Sequence, residues 1–337
     1  MEFDSNITSS SHAPGNVSNV SGALPLPTLI VYISFSILGI FGNGLVLFVI
    51  ARVEYLQDTT NLLIVNQSLI DGISSILLLA NFVLPKPPLP GKNPSLATIL
   101  CGIWYSQYLY WATYIASIVN LLLLTLERYF AVVYPLRYRR HVKGRLVIVC
   151  SLIPWILGLL HMSYLITLTK IKDGTCLLFL WPNEVMQPAM GIYTFLMYFI
   201  ITFTAMFWMY YRIMNTLRQA SKPAVGSVHQ VKDYRELARK NAVKTMLSLS
   251  LCYATCWAPN QFTYLLYCLG VNIDLGGTFY YVTVSFAFIN MWINPFVYTF
   301  QYHKFQNGLK TVFGRARQGR ETEVQSSQTI DTSLSQP

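Results

Sequence analysis

Three groups of residues in this sequence stand where they could do chemistry. Asp71 is the one formal charge between Thr59 and Pro85. A carboxylate in so apolar a setting holds a cation or a proton, or stays protonated as a hydrogen-bonded core acid, because its charge at membrane depth costs about 2.5–3.5 kcal/mol. Glu127-Arg128-Tyr129 puts an acid, a base and an aromatic side by side where the uncharged window Asn93 to Leu126 ends. Cys101 and Cys176 are two thiols in flanking, loop-like surroundings. Catalysis finds little support. His12, His141, His161, His229 and His303 are scattered without ligand spacing, and no nucleophile stands beside an acid/base pair.

The elements that position these residues are spans. The chain has 337 residues, of which 53% are hydrophobic and 11% charged, a composition that excludes disorder and disfavours a soluble globule. Windows free of Asp, Glu, Lys and Arg run from Leu24 to Ala51, Asn93 to Leu126, Leu146 to Thr169, Val185 to Tyr211, Thr245 to Ile273 and Leu275 to Tyr302. Each exceeds the roughly 20 residues of a spanning helix, and the Asp71 window makes a seventh. The expected fold is therefore an all-α membrane protein, a seven-transmembrane helix bundle. Among the 24 Lys and Arg, Lys86, Lys92, Lys170 and Lys172 fall on one side and the rest on the other. The positive-inside tendency makes the basic side cytoplasmic and the N-terminus extracellular, at the plasma membrane. The net charge of +10 then faces anionic lipid and an intracellular protein partner, not nucleic acid.

That topology divides the chain into an extracellular tail 1–24, a seven-span domain 25–302, a membrane-surface helix 303–314 and a disordered cytoplasmic tail 315–337. The first tail carries glycosylation sequons at Asn6, Asn16 and Asn19, and no basic stretch precedes an apolar run, so the first span is expected to direct its own insertion. Of six cysteines, Cys101 and Cys176 are the clearly extracellular ones, with Cys268 near that edge, so they are paired as a disulfide; two unrelated thiols are the alternative. Such a bond is worth on the order of 2–4 kcal/mol.

Along the chain, Gly39, Gly42 and Gly44 offer close helix approach beside Asn43, which needs an inward partner. Pro85 to Gly91 is a proline-rich connection. In the third span Gln107, Tyr110, Tyr114, Ser117, Leu121 and Leu124 share a face. The stretch Leu165 to Trp181 reads as β-branched runs around Asp173-Gly174, a hairpin, unless its first part ends the fourth helix. The connection from Ala220 to Val231 has no room for a further domain. Pro259 kinks the sixth span beside Trp257, and Asn290, Asn294 and Pro295 interrupt the seventh. Phe305, Leu309 and Phe313 form one face of a surface helix, and no cysteine follows them to take an acyl chain. The Ser/Thr-rich tail offers phosphorylation sites.

Asn43, Asp71, Cys101 with Cys176, Glu127-Arg128-Tyr129, Trp155, Cys256-Trp257-Ala258-Pro259 and Asn294-Pro295-Phe296-Val297-Tyr298, one set per expected span, resemble the rhodopsin-like G-protein-coupled receptors. The resemblance covers about Leu24 to Phe313. It implies that Glu127 restrains Arg128 at rest and that Arg128 is released toward a heterotrimeric G protein while Tyr210 and Tyr298 repack around it. It implies that Trp257 and Pro259 are the pivot that swings the sixth span outward. Asp71, Ser117, Asn290 and Asn294 match the family's sodium pocket, which makes sodium an allosteric ligand and leaves no other cofactor expected. Arrestin and receptor kinases join the partners that the family implies.

The sequence departs from that pattern in four places. Two extra residues separate Cys101 from Arg128, Thr202 and Phe203 stand where span five lacks a proline, and span four lacks a late one. Arg239 replaces the acid that many relatives pair with Arg128, so raised basal activity is expected. Tyr110 stands where an amine receptor has its aspartate, and Phe288 where a retinal receptor has its lysine. The ligand site is expected from Gln107, Tyr110, Trp111, Tyr114, Tyr198, Asn260, Gln261, Tyr264 and Tyr280, an aromatic, neutral set apt for a peptide or, alternatively, a small neutral ligand. A transporter, the reading from a different class, would show internal repeats and several ionisable residues at depth.

Overall fold

The computed structural model describes residues 24–220 and 229–314, with side chains left out at 220, 229–242 and 246. The sequons at Asn6, Asn16 and Asn19, the tail 315–337 and the Arg239 side chain lie outside the described residues. The helices are α1 (Leu26–Arg52), α2 (Thr59–Val83), α3 (Pro94–Val133), α4 (Gly144–Thr167), α5 (Met186–Gln219), α6 (His229–Cys268), α7 (Thr278–Gln301) and α8 (303–314). A short helix, Pro135–His141, joins α3 to α4. Among the described residues five helices, α1 to α5, are long and apolar enough to cross a membrane. Helices α6 and α7 complete an all-α seven-helix bundle. The asparagines, threonines and tyrosines of α7 dilute its apolar character but turn into the bundle, as Asn290, Asn294 and Tyr298 show by their burial.

Burial follows position in the bundle. Helix α3 runs through the centre with most of its apolar window buried, whereas α4 leaves Val149, Leu152 and Leu160 exposed as a face of hydrocarbon character. Backbones meet where glycine removes the side chain: a Cβ on Gly158 of α4 would stand 2.2 Å from the Ala112 carbonyl oxygen of α3. Asn43 resolves its polar cost by donating to the carbonyls of Gly39 at 2.9 Å and Met291 at 2.8 Å, tying α1 to α7. Helix α8 seats a buried Phe305 beside Tyr298, and Lys304 donates to Asp58 at 3.1 Å.

Three helices contain π-turns: Leu79–Val83 in α2, Leu100–Tyr105 in α3 and Leu196–Ile201 in α5. In α3 the π-turn is followed by Gln107 in the left-handed region, φ 59°, before the helix resumes at Tyr108. A π-turn takes up an extra residue without ending the helix, so these two irregularities absorb the surplus between Cys101 and Arg128. In α5 the turn sits where the missing proline would bend the helix, and the hydroxyl of Thr202, the residue just after it, donates back to the Met197 carbonyl at 2.9 Å.

After α4, β1 (Lys170–Lys172) pairs antiparallel with β2 (Thr175–Leu177), Ile171 opposite Cys176. Asp173 and Gly174, with φ of 51° and 71°, form the tight turn that the Asp-Gly pair foretold. The Cys101–Cys176 disulfide joins this hairpin to α3 with the Cα atoms 5.6 Å apart.

Candidate functional site

Between the helix ends on the hairpin side lies a cavity of ≈ 670 Å³, to which α1 to α7 all contribute. Gln107, Trp111, Tyr114, Asn260, Gln261, Tyr264 and Tyr280 line it as expected, together with Trp257. Tyr110 and Tyr198 do not. Tyr110 is fully buried in a cluster with Phe82 and Phe288, their ring centres 5.2 and 5.4 Å away. Tyr198 lies against His161, ring centres 4.4 Å apart, and its carbonyl accepts the Tyr253 hydroxyl. Tyr110 lies on the face that periodicity identifies in the third span, and neighbouring aromatics pack against both tyrosines.

Sequence reasoning passed over Asn81, Phe82, Lys86, Tyr105 and Phe179, which also line the cavity. Lys86 is the one charged residue in that lining and no carboxylate joins it among the described residues. Burial without a counter-charge pulls its ammonium below the usual lysine range, and its nitrogen lies 5.2 Å from the centre of the Tyr105 ring. The signal for it was in hand: the proline-rich stretch around Lys86 holds the chain close to the helix ends.

The cavity ends on an aromatic pair, Tyr114 stacked on Trp257 with ring centres 4.0 Å apart. Trp257 lies one residue before Ala258 and two before the in-helix Pro259, so the cavity touches α6 at its bend.

Below this pair, Asp71, Ser117, Asn290 and Asn294 converge. The Asp71 carboxylate accepts from Ser117 at 2.8 Å, from Gln67 Nε2 at 2.9 Å and from Asn294 Nδ2 at 2.7 Å. Ser117 Oγ in turn accepts from Gln67 Nε2 at 2.6 Å, and Asn290 Nδ2 approaches it at 3.4 Å. A sodium ion needs oxygen ligands. Here the oxygens of Asp71 and Ser117 face amide and hydroxyl hydrogens, so the side chains as arranged do not fit the ion. Asn290 Oδ1 and Asn294 Oδ1 are buried and without a hydrogen-bond partner among the described residues, but it is the nitrogens of these amides that meet the site, Asn294 Nδ2 at the Asp71 carboxylate and Asn290 Nδ2 at Ser117 Oγ.

At the opposite end of α3, Arg128 donates to Glu127 twice, Nε to Oε2 at 2.6 Å and Nη2 to Oε1 at 2.9 Å. Glu127 Oε1 also accepts from Thr60 at 2.9 Å and from the Tyr138 hydroxyl. Tyr129 turns away and packs on Trp208, ring centres 5.5 Å apart. The Tyr210 hydroxyl is 3.2 Å from both Thr125 and Ser250, while the buried Tyr298 hydroxyl has no partner among the described residues. Among the described residues neither tyrosine hydrogen-bonds Arg128, and the arginine is held by its neighbour Glu127.

A seven-helix bundle with a ligand-sized cavity at one end and a restrained arginine at the other is the architecture of a membrane receptor. Residues 42–298 match the sequence pattern of the 7 transmembrane receptor (rhodopsin family), and the chain belongs to that family of multi-pass membrane receptors, which are not enzymes. It is 25% identical over 278 residues to the KiSS-1 receptor of Rattus norvegicus, covering 78% of this chain and 69% of that protein. It is 25% identical over 288 residues to the somatostatin receptor type 4 of Rattus norvegicus, 84% and 71% of the two chains. The galanin receptor 2a of Danio rerio is 27% identical over 319 residues, 90% and 84%.

Proposed function

We propose that this protein is a plasma-membrane receptor that binds an extracellular peptide in the ≈ 670 Å³ cavity and activates a heterotrimeric G protein by outward movement of α6. The observation that carries the reading is the continuity between the two ends: Trp257 lines the cavity and lies beside the α6 proline, while Tyr114 on the same α3 as Arg128 stacks on it. A ligand that displaces this aromatic pair acts directly on the bend. Relatives named for kisspeptin, somatostatin and galanin support a peptide ligand. The hairpin tied to α3 also supports it, since Leu178 and Phe179 just beyond β2 line the cavity.

The lining narrows the ligand's charge. An amine would find no carboxylate there among the described residues, whereas Lys86 offers a cation to an anionic group such as a C-terminal carboxylate or an acidic side chain. The N-terminus is extracellular in this reading, which puts the basic connections, α8 and the Ser/Thr-rich tail in the cytoplasm, where arrestin and receptor kinases would act and where α8 would lie on the lipid surface. Nucleotide exchange on a purified G-protein trimer, driven by the reconstituted receptor and a peptide library, tests the reading. Peptide-dependent exchange is expected. A receptor that drives exchange with non-peptide ligands, and with no peptide, would sink the peptide assignment and leave the receptor class intact.

A further inference from the structure

The hydrogen bonds around Asp71 continue as a ladder across the bundle, and its direction is set by groups that can only donate, the Trp155 indole, or only accept, the Ser151 and Leu63 carbonyls. Trp155 Nε1 on α4 donates to Asn66 Oδ1 on α2 at 3.0 Å. An indole nitrogen accepts nothing, so the Asn66 amide is oriented: its Nδ2 donates to Asn120 Oδ1 on α3 at 2.8 Å and to the Ser151 carbonyl at 3.0 Å. That orients Asn120, whose Nδ2 donates to Gln67 Oε1 at 2.8 Å and to the Leu63 carbonyl at 3.0 Å. Gln67 is left with one orientation, its nitrogen toward Asp71 and Ser117. Reversing it would face oxygen against carboxylate at one end and nitrogen against nitrogen at the other.

Asn290 and Asn294 are under no such constraint. Their buried oxygens lack partners among the described residues, so turning either amide over breaks only its one contact to Ser117 or Asp71. Gln67 is the one amide at the carboxylate that cannot turn an oxygen to an ion. Its nitrogen, 2.9 Å from Asp71 and 2.6 Å from Ser117, bridges the two oxygens that a sodium ion would have to share.

We infer that the Gln67 amide takes the place of a metal ion at Asp71: the chain carries its own neutral donor there, held in polarity by Trp155 and by the Ser151 and Leu63 carbonyls through Asn66 and Asn120, and the receptor does not respond to sodium. The ladder joins α2, α3, α4 and, through Asn294, α7, so the link that an exchangeable ion would make between these helices is covalently part of this protein.

The test is the thermal unfolding of the purified full-length receptor in about 150 mM sodium chloride against equal concentrations of potassium and N-methylglucamine chlorides, because an ion that binds only the folded state raises its midpoint. For the unmodified protein the three midpoints coincide. Gln67→Leu removes the fixed donor and keeps the apolar stem, so a sodium-specific rise of about 2 °C or more is expected. Adding Asp71→Asn to it abolishes the rise. Should Gln67→Leu not fold, Gln67→Met serves instead: it also removes the amide donor at Asp71 and Ser117 while keeping an apolar stem of similar length, and is expected to show the same sodium-specific rise. A sodium-specific rise in the unmodified protein overturns the inference, and so does its absence from whichever variant folds.

Discussion

Glu127→Gln replaces a carboxylate by an amide of nearly the same shape, and the surroundings decide which way that amide lies. Oε1 of Glu127 accepts from Thr60, Tyr138 and Arg128 Nη2, whereas Oε2 accepts only from Arg128 Nε. The glutamine oxygen will keep the Oε1 position and its partners, which leaves the amide nitrogen facing Arg128 Nε. A 2.6 Å charge-assisted bond becomes a contact between two donors. A hydrogen bond to a charged group contributes about 1.5–3 kcal/mol, and the pair is shielded, with 4% of the Glu127 side chain exposed and 17% of Arg128. Loss of about 2 kcal/mol of restraint shifts the equilibrium between held and released Arg128 about 30-fold. Ligand-independent nucleotide exchange by the reconstituted receptor reads that shift: Glu127→Gln should rise well above the unmodified protein and approach the fully activated rate if the released state is already a few per cent populated. Glu127→Gln receptor that folds to the same yield with unchanged basal exchange would show that this ion pair does not restrain the arginine.

Three further outcomes follow from packing and charge. Gly158→Ala sets a methyl 2.2 Å from the Ala112 carbonyl oxygen, and since a backbone cannot rotate away, α4 must shift from α3 at a cost of about 1–3 kcal/mol, seen as a lower unfolding midpoint in detergent. Cys176→Ser releases the hairpin from α3 and should lower stability by about 2–4 kcal/mol with a proportionate loss of ligand affinity, measured by unfolding and by binding. Lys86→Ala should weaken peptides that carry a free C-terminal carboxylate about tenfold or more and leave their amides unaffected, with Lys86→Arg retaining the preference. The ammonium must be protonated to bind an anion, and burial lowers its pKa, so affinity should be full where the peptide carboxylate is ionised and Lys86 still protonated, and be lost on raising pH sooner than an exposed lysine would allow.

Much of this was legible in the sequence because membrane-spanning helices announce themselves by length and charge exclusion, and because single polar residues in apolar windows are conspicuous. Asp71, Asn43, Asn290 and Asn294 were found that way, and the Asp-Gly hairpin by its turn residues. The π-turns were not legible: a helix that gains one residue keeps its hydrophobic character, and only a mismatch such as the surplus between Cys101 and Arg128 hints at it. Tyr110 was assigned to the cavity because periodicity gives a face and not what covers it, and Tyr198 as one of an aromatic, neutral set; Phe82 and Phe288 enclose the first, and His161 lies against the second. Gln67 and Asn120 went unremarked, although Gln67 stands four residues before Asp71 and so one turn away on the same helix face. The direction of an amide is a property of its whole network, which no local reading of residue types contains.

The π-turns bear on how such a protein can change over time. Helices α3 and α5 are divided, and α2 is ended, by a segment whose register is relaxed, at Leu100–Tyr105, Leu196–Ile201 and Leu79–Val83. In α5 the turn lies between cavity-lining Thr194 and the packed residues Met206, Met209 and Tyr210, and in α2 it carries the cavity-lining Asn81, Phe82 and Val83 beyond packed Asp71 and Leu78. An insertion or deletion near the turn of α2 or α5 can rotate the cavity-lining residues of that helix by about 100° while the Asp71 ladder and Glu127-Arg128 keep their places. Ligand preference can therefore drift by single-residue steps in chain length, leaving the signalling end untouched.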